Sequence, residues 1–129
     1  MLALSAIFVF KTATKAQSAA DSVAQHKNPV VHLAKLQIDP VQLESYKSAL
    51  KEEIETSVRI EPGVLSLEAV SEKDNRTHIT ILEVYADTAG DKAHLTTPHF
   101  KKYKSVTKEM VRPLELVDAV PVVLGMKGK

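Results

Sequence analysis

Residues 64–85 read VLSLEAVSEKDNRTHITILEVY and contain two apolar stretches, at positions 64–71 and 77–85. Hydrophobic side chains recur at every second position of the first stretch, which is typical of a β-strand. The polar segment 72–75 between the stretches has the composition of a turn. The pattern therefore predicts an antiparallel hairpin. Because both faces of its second strand carry hydrophobic side chains, we expect helices on one face of the sheet and a second sheet on the other.

The residues before the hairpin predict a strand followed by a helix. Residues 30–38, VVHLAKLQI, form a β-rich run bounded by prolines. Asp39 and Pro40 suit an N-cap and a first helical position, and Gln42 completes a capping box. Hydrophobic residues then recur at spacings of three and four, which predicts an amphipathic helix with an inward stripe of Leu43, Tyr46, Leu50, Ile54 and Val58. The turn Glu61-Pro62-Gly63 should end it, with a glycine able to adopt a positive φ.

The residues after the hairpin predict two helices and a last strand. Asp87 is a suitable cap for a short helix that runs to His94, and Thr97-Pro98 repeats the pattern of a cap followed by a proline. The inward residues expected in the second of these helices are Phe100, Tyr103, Val106 and Met110. Pro113 should end that helix. Residues 114–124, LELVDAVPVVL, should form the last strand, with Pro121 at an edge or a bulge.

This order of elements predicts the fold class. Strand, helix, strand, strand, helix, strand with right-handed connections is an α+β, ferredoxin-like βαββαβ arrangement. We expect a four-stranded antiparallel sheet with both helices on one face. The other face is still partly apolar, so a homodimer that packs sheet against sheet is an economical way to cover it. At 129 residues and 44% hydrophobic content, the chain suits one such domain, which we place at residues 29–129.

The first 28 residues form a separate segment. Residues 2–10, LALSAIFVF, have the length of a signal-peptide core, and small residues at positions 18–20 suit cleavage. A signal peptide normally has basic residues before its hydrophobic core. Here none precedes the run, whereas Lys11 and Lys15 follow it, which argues against export. The run is too short to span a membrane as a helix. Two interpretations stay open, an exported (periplasmic) protein with a signal segment and a cytoplasmic protein with an N-terminal arm.

The composition argues against several kinds of function. A net charge of +1 with lysines and glutamates interleaved does not predict a nucleic-acid-binding surface. The absence of cysteine excludes disulfides, thiolate nucleophiles and Cys-ligated metal. The four glycines form no phosphate-binding loop for a flavin or nicotinamide. His94 and His99 lack the spacing of a helical metal-binding pair, with no carboxylate between them, so neither a metal nor a cofactor is expected.

Three polar side chains are candidates for chemistry. His94 should lie at a helix end, and an imidazole titrates near neutral pH, which suits a general acid or base. His99 should lie at the second position of the next helix, where the helix dipole favours a neutral ring. Such a ring can donate a hydrogen bond to a substrate or help to cap the helix. Glu83 shares a strand face with hydrophobic residues, so its carboxylate can orient a histidine, act as a base, or pair with Tyr85 or a lysine.

Three short motifs in this order resemble the antibiotic biosynthesis monooxygenase family: Glu61-Pro62-Gly63, Leu82-Glu83-Val84-Tyr85, and His94 followed by Thr97-Pro98-His99-Phe100. The resemblance runs over residues 30–126. It implies a dimeric ferredoxin-like α/β barrel with a pocket between the sheet and the helices of each subunit. The most similar branch contains quinol monooxygenases and an isomerase of phosphorylated autoinducer-2. The haem-degrading branch relies on a tryptophan, and this chain has none.

The resemblance implies a cofactor-independent monooxygenase that uses dioxygen to oxidise a quinol or a similar electron-rich aromatic. It implies His94 as the catalytic base and Glu83 as the residue that orients it. His99 or Tyr85 would then donate a hydrogen bond to the substrate, and Phe100 would contact it.

The first strand leaves one question about the substrate open. His32 and Lys35 lie on opposite faces of this strand, so at most one of them lines the pocket. An inward Lys35 would favour the second hypothesis, an isomerase of a small phosphorylated ketose-like signal molecule. A third hypothesis is a dimeric module that binds a small ligand without catalysis, because a fold does not determine a function.

Overall fold

The computed structural model describes residues 28–128. Its elements, in chain order, are β1 (Val30–Ile38), α1 (Leu43–Ile60), β2 (Val64–Ser71), β3 (His78–Tyr85), α2 (Thr88–His94), α3 (Pro98–Thr107) and β4 (Val111–Ala119). The N-terminal segment, and with it the choice between a signal segment and an arm, lies outside the described residues. Within residues 28–128, no helix has the length and hydrophobicity needed to cross a bilayer.

The four strands form one antiparallel sheet in the order β2-β3-β1-β4. Helices α1 and α3 pack against each other, and the hydroxyl oxygens of Tyr46 and Tyr103 lie 2.6 Å apart between them. The main core lies between this helical layer and the sheet, and its buried residues are Leu36, Ile38, Tyr46, Leu50, Ile79 and Ile81. The predicted ferredoxin-like α+β fold is therefore confirmed.

The start of α1 matches the predicted cap, with a tighter first turn. The carboxylate of Asp39 accepts hydrogen bonds from the backbone N–H of Val41 (3.1 Å) and from the side-chain amide of Gln42 (2.8 Å). Residues Pro40–Gln42 form a short 3₁₀ turn, and the α-helix begins only at Leu43. Gln42 thus binds the cap's carboxylate and not its backbone N–H.

The inward stripe of α1 differs from the prediction at its C-terminal end. Tyr46, Leu50, Glu53 and Ser57 are buried, whereas Val58 is 50% exposed. The spacing of four, three and four residues follows the helical repeat and brings Ser57 inward instead of Val58. The apolar pattern alone did not predict that two polar side chains would occupy this stripe.

The last strand was predicted too late in the sequence. It runs over Val111–Ala119, so Pro113 lies inside it and Pro121 lies beyond it. Strand β4 is an edge strand, and its register with β1 shifts between Lys35 and Leu36, where Leu36 faces Pro113. A proline is tolerated there because an edge strand at a bulge does not need every backbone N–H. Helix α3 ends earlier, at Thr107, and Val106, which was expected to face inward, is 49% exposed.

Candidate functional site

Two glutamates and two histidines meet where the C-terminal ends of α1 and α2 approach the start of α3. Glu61 directly follows α1, His94 is the last residue of α2, and His99 is the second residue of α3. Glu53 lies about two turns before the end of α1. We call these four residues the histidine–glutamate cluster. His94 is only 1% exposed and Glu53 only 5%, so the cluster is built into the interior.

The cluster is connected by short contacts between charged and polar atoms. Nδ1 of His94 lies 2.9 Å from Oε2 of Glu61, and Nε2 of His94 lies 3.2 Å from Oε1 of Glu53. Oε2 of Glu61 also lies 2.7 Å from Nε2 of His99. The hydroxyl of Ser57 donates to Glu53 at 2.8 Å. His94 is therefore held between two carboxylates, and Glu61 joins the two histidines.

This arrangement favours the charged form of His94. Burial alone would lower its pKa, but hydrogen bonds to Glu53 and Glu61, and their negative charges, outweigh burial and raise the pKa to about 9. At neutral pH both ring nitrogens then donate to carboxylates. Burial also opposes ionisation of Glu61, yet hydrogen bonds from His99 and His94 bring its pKa below the usual range. These contacts therefore favour a protonated His94 at neutral pH.

Aromatic side chains enclose the His94 ring. The centroid of the Phe100 ring lies 4.9 Å from that of His94, and the Tyr85 centroid lies at 5.4 Å. The Tyr85 hydroxyl donates to Oε1 of Glu83 at 2.9 Å. Burial raises the pKa of Glu83, although this hydrogen bond and the charges of His32 and His94 oppose the rise. Glu83 therefore positions Tyr85, and the carboxylates that contact His94 belong to Glu53 and Glu61.

The structure shows which of the two polar residues of β1, His32 or Lys35, lies on the helix-covered face. His32 lies on the helix-covered face, opposite Glu83 in the register, and its two ring nitrogens contact Asp91 at 2.9 Å and Asp118 at 2.8 Å. Burial lowers the pKa of His32, but these contacts outweigh it and raise the pKa. Lys35 lies on the opposite face and pairs with Glu115. Of the two residues, His32 is the one that lies near the cluster.

Two glycines bring the Glu61-Pro62-Gly63 turn against α2. A Cβ atom on Gly63 would lie 2.6 Å from the Cα of Gly90, and one on Gly90 would lie 2.8 Å from the carbonyl oxygen of Gly63. Neither position has room for a side chain. Gly63 does not use the positive φ that glycine permits, since no glycine among the described residues has one. Close packing is what requires glycine here, and it sets Glu61 within reach of His94.

Sequence reasoning missed Glu53 and used Glu61 only as part of a motif. A signal for Glu53 was present, because it falls at a helical spacing from Tyr46, Leu50 and Ser57. A carboxylate on such a stripe needs a buried partner. No spacing rule connects Glu61 to His94 and His99, because they come from three different elements.

One large groove among the described residues does not touch the cluster. A groove of about 610 Å³ lies between α1 and β2, lined by residues that include Leu50, Ile54 and Leu67. The cavity that borders the cluster holds only about 50 Å³ and lies between α1 and α3, with Glu53, His99 and Tyr103 in its wall. We place the candidate site at the smaller cavity because two residues of the cluster, Glu53 and His99, line it. This volume is below the range of about 300–1,000 Å³ that is usual for small-molecule pockets.

Comparisons with known proteins agree with this fold. A family profile described as antibiotic biosynthesis monooxygenase matches residues 29–106. A structure from Bacteroides thetaiotaomicron, named a candidate antibiotic biosynthesis monooxygenase, is 56% identical, and the match covers 81% of this chain and 99% of that one, with a TM-score of 0.75. A candidate monooxygenase from Lactobacillus acidophilus is 30% identical over 73% of this chain and 44% of that one, with a TM-score of 0.70. No curated protein matches the sequence.

Proposed function

Because the chain belongs to the antibiotic biosynthesis monooxygenase family, we propose that it oxidises a quinol or a similar electron-rich aromatic with dioxygen. One oxygen atom enters the product and the other leaves as water. A quinol and dioxygen then give a hydroxylated quinone and one water molecule. The substrate supplies all four electrons, so the proposed reaction needs no bound cofactor. The protein's part is to remove a proton, stabilise the resulting anion and exclude water.

The chain of contacts His99–Glu61–His94–Glu53 is the observation that carries this proposal. His99 is the histidine that borders the small cavity, and its side chain is 11% exposed, compared with 2% for that of His94. Its Nε2 faces Glu61, as the base of a catalytic triad faces its carboxylate. We therefore assign proton removal to His99, oriented by Glu61. His94 contributes a fixed positive charge behind the pair.

The neighbouring residues have supporting roles in this proposal. Phe100 and Tyr85 enclose the His94 ring, and the Tyr85 hydroxyl donates its hydrogen bond to Glu83, which fixes the ring in place. His32 holds Asp91 of α2 against the sheet and lies beside Tyr85, with ring centroids 6.0 Å apart. The resemblance to dimeric barrels and the partly apolar outer face of the sheet support a homodimer as the active form.

The alternatives draw no support from the geometry. An isomerase of a phosphorylated ketose was favoured by an inward Lys35, and Lys35 points to the other face of the sheet, toward Glu115. A binding module without catalysis would not need a buried cation between two carboxylates, which is costly to build.

Oxygen uptake by the purified protein with a panel of reduced quinols tests the proposal. We expect uptake above the autoxidation rate and one atom of labelled dioxygen in the product. His99→Ala should lower the rate about 100-fold, the usual contribution of a general base. The matched control is His78→Ala, which removes a histidine that pairs with the exposed Glu72 at 2.6 Å. The control should keep the full rate. Absence of enzyme-dependent uptake would contradict the function, and equal rates in both variants would contradict the role of His99.

A further inference from the structure

We propose that the histidine–glutamate cluster is also a binding site for a divalent transition metal, with Glu61, His94 and His99 as its ligands. One donor atom from each of these residues lies within 4.8 Å of the other two. The three residues come from the ends of α1 and α2 and from the start of α3. The spacing of the histidines argued against a metal because it could not reveal a carboxylate from another helix.

The contacts within the cluster are close to those of a metal site. Oε2 of Glu61 lies 2.9 Å from Nδ1 of His94 and 2.7 Å from Nε2 of His99. Neighbouring ligands around tetrahedral Zn²⁺, each about 2.0–2.1 Å from the ion, are roughly 3.3 Å apart. Each histidine nitrogen therefore needs to move only about 0.5 Å away from Oε2 of Glu61 for an ion to replace the hydrogen atoms between them. Two imidazole nitrogens with one carboxylate oxygen suit Zn²⁺, Co²⁺ and Fe²⁺.

The residues behind the three ligands match the supporting shell of a metal site. Oε1 of Glu53 contacts Nε2 of His94, the ring nitrogen that faces away from Glu61, at 3.2 Å. The hydroxyl of Ser57 fixes the same oxygen at 2.8 Å. A carboxylate on the second nitrogen of a ligating histidine orients the ring and strengthens it as a ligand. The two carboxylates of the cluster also balance the charge of one divalent ion.

The small cavity borders one of the three ligands, His99. Three protein ligands leave at least one coordination position open. The cavity beside His99 holds about 50 Å³, which is enough for a water molecule. An ion bound here would occupy Nε2 of His99 and Oε2 of Glu61, the pair to which we assign proton removal. Metal binding and the proposed reaction would therefore compete. The metal site itself does not depend on whether the reaction takes place.

Cobalt titration of the untagged chain, freed of metal with a chelator, tests the site without substrate. We expect visible absorption bands that saturate at one Co²⁺ per chain, with the stoichiometry checked by equilibrium dialysis. His99→Ala and Glu61→Gln should each weaken binding at least tenfold. Glu53→Gln keeps all three ligands and should weaken it 10- to 100-fold through its effect on His94. The matched control, His78→Ala, removes a surface histidine–glutamate pair and should bind as the wild type does.

Two results would overturn the metal site. One is a wild-type protein that shows no saturable cobalt bands. The other is unchanged affinity in both His99→Ala and Glu61→Gln, which would place the ion elsewhere on the chain. Circular dichroism of each variant separates loss of the site from loss of the fold. Because no quinol or oxygen uptake enters these measurements, their failure is distinguishable from failure of the proposed oxygenation.

Discussion

His94 links the chemistry of the cluster to the stability of the protein. Its pKa is raised from 6.5 to about 9 in the folded chain, so the folded state binds its proton more tightly than the unfolded state. The stabilisation is fully present below about pH 6.5 and is lost as the pH rises through 9. A shift of this size corresponds to about 3 kcal/mol. Free energies of unfolding in urea, measured on metal-free protein between pH 6 and 10, should fall across this window.

A variant isolates the contribution of His94 from that of other groups. The pKa of His32 is also raised, so it adds to the same trend. His94→Gln should have a lower free energy of unfolding at pH 6, and that free energy should depend much less on pH than in the wild type. The dependence on pH that remains in the variant comes from His32 and other groups. An equal slope in wild type and variant would contradict the buried-cation interpretation.

Glu53 is the second residue on which this charge depends. Glu53→Gln keeps the shape of the side chain but removes the negative charge 3.2 Å from Nε2 of His94. We expect the pKa of His94 to fall toward its ordinary value of 6.5, because one of its two charged partners is lost. Titration of the imidazole proton signals by NMR measures this directly. Glu52→Gln, a change in the adjacent exposed glutamate that pairs with Lys102, should leave the His94 titration where it is.

Helix ends, more than helix faces, build the site, and their contacts can be tested separately. Gly90 in the first turn of α2 touches the turn that carries Glu61. Gly90→Ala forces a Cβ atom to within 2.8 Å of the carbonyl oxygen of Gly63, so the two segments must move apart. We expect a loss of about 1–3 kcal/mol, as in other overpacked positions, and a lower His94 pKa. Gly125→Ala, which meets nothing within 4 Å, is the control in the same unfolding and NMR measurements.

Thr97 connects α2 to α3. Its hydroxyl donates to the carbonyl of His94 at 2.8 Å and accepts from the backbone N–H of Phe100 at 3.3 Å. Thr97→Ala should cost about 1 kcal/mol, the usual value of a helix N-cap, measured by urea unfolding. The neighbouring Thr96 donates to the Ala93 carbonyl but does not cap the helix. A larger loss for Thr96→Ala than for Thr97→Ala would contradict the capping role.

Local patterns in the sequence predicted these elements well and their edges less well. The cap at Asp39 and the cap at Thr97 were predicted because each bonds to residues two or three positions away. The position of β4 was mispredicted, because Pro113 is tolerated only through its place at the sheet edge, which no local pattern reveals. Glu53 and Glu61 were not predicted as site residues because their partners lie on other elements, which no local pattern reveals.

The fold as a whole leaves apolar surface at its C-terminal end. Val120, Val122 and Val123 follow β4 and are 85%, 98% and 81% exposed, and Leu116 within β4 is 72% exposed. Apolar side chains exposed close together in the sequence can mark an interaction surface. These residues adjoin an edge strand of the sheet whose outer face we expect to pack in a homodimer. We therefore predict that the C-terminal valines contribute to the dimer contact.

Sedimentation velocity at micromolar concentrations tests this contact. The wild type should sediment as a dimer, and the double change Val122→Asp and Val123→Asp should weaken association at least tenfold, because two charges would then need to be desolvated at the interface. Val41→Asp is the matched control, since Val41 is 92% exposed in the turn before α1, which adjoins the start of β4, at the opposite end of that strand from the valines. Equal dissociation in the control, or a monomeric wild type, would contradict the predicted interface. Retention of the dimer in the double variant would exclude the C-terminal valines from the contact.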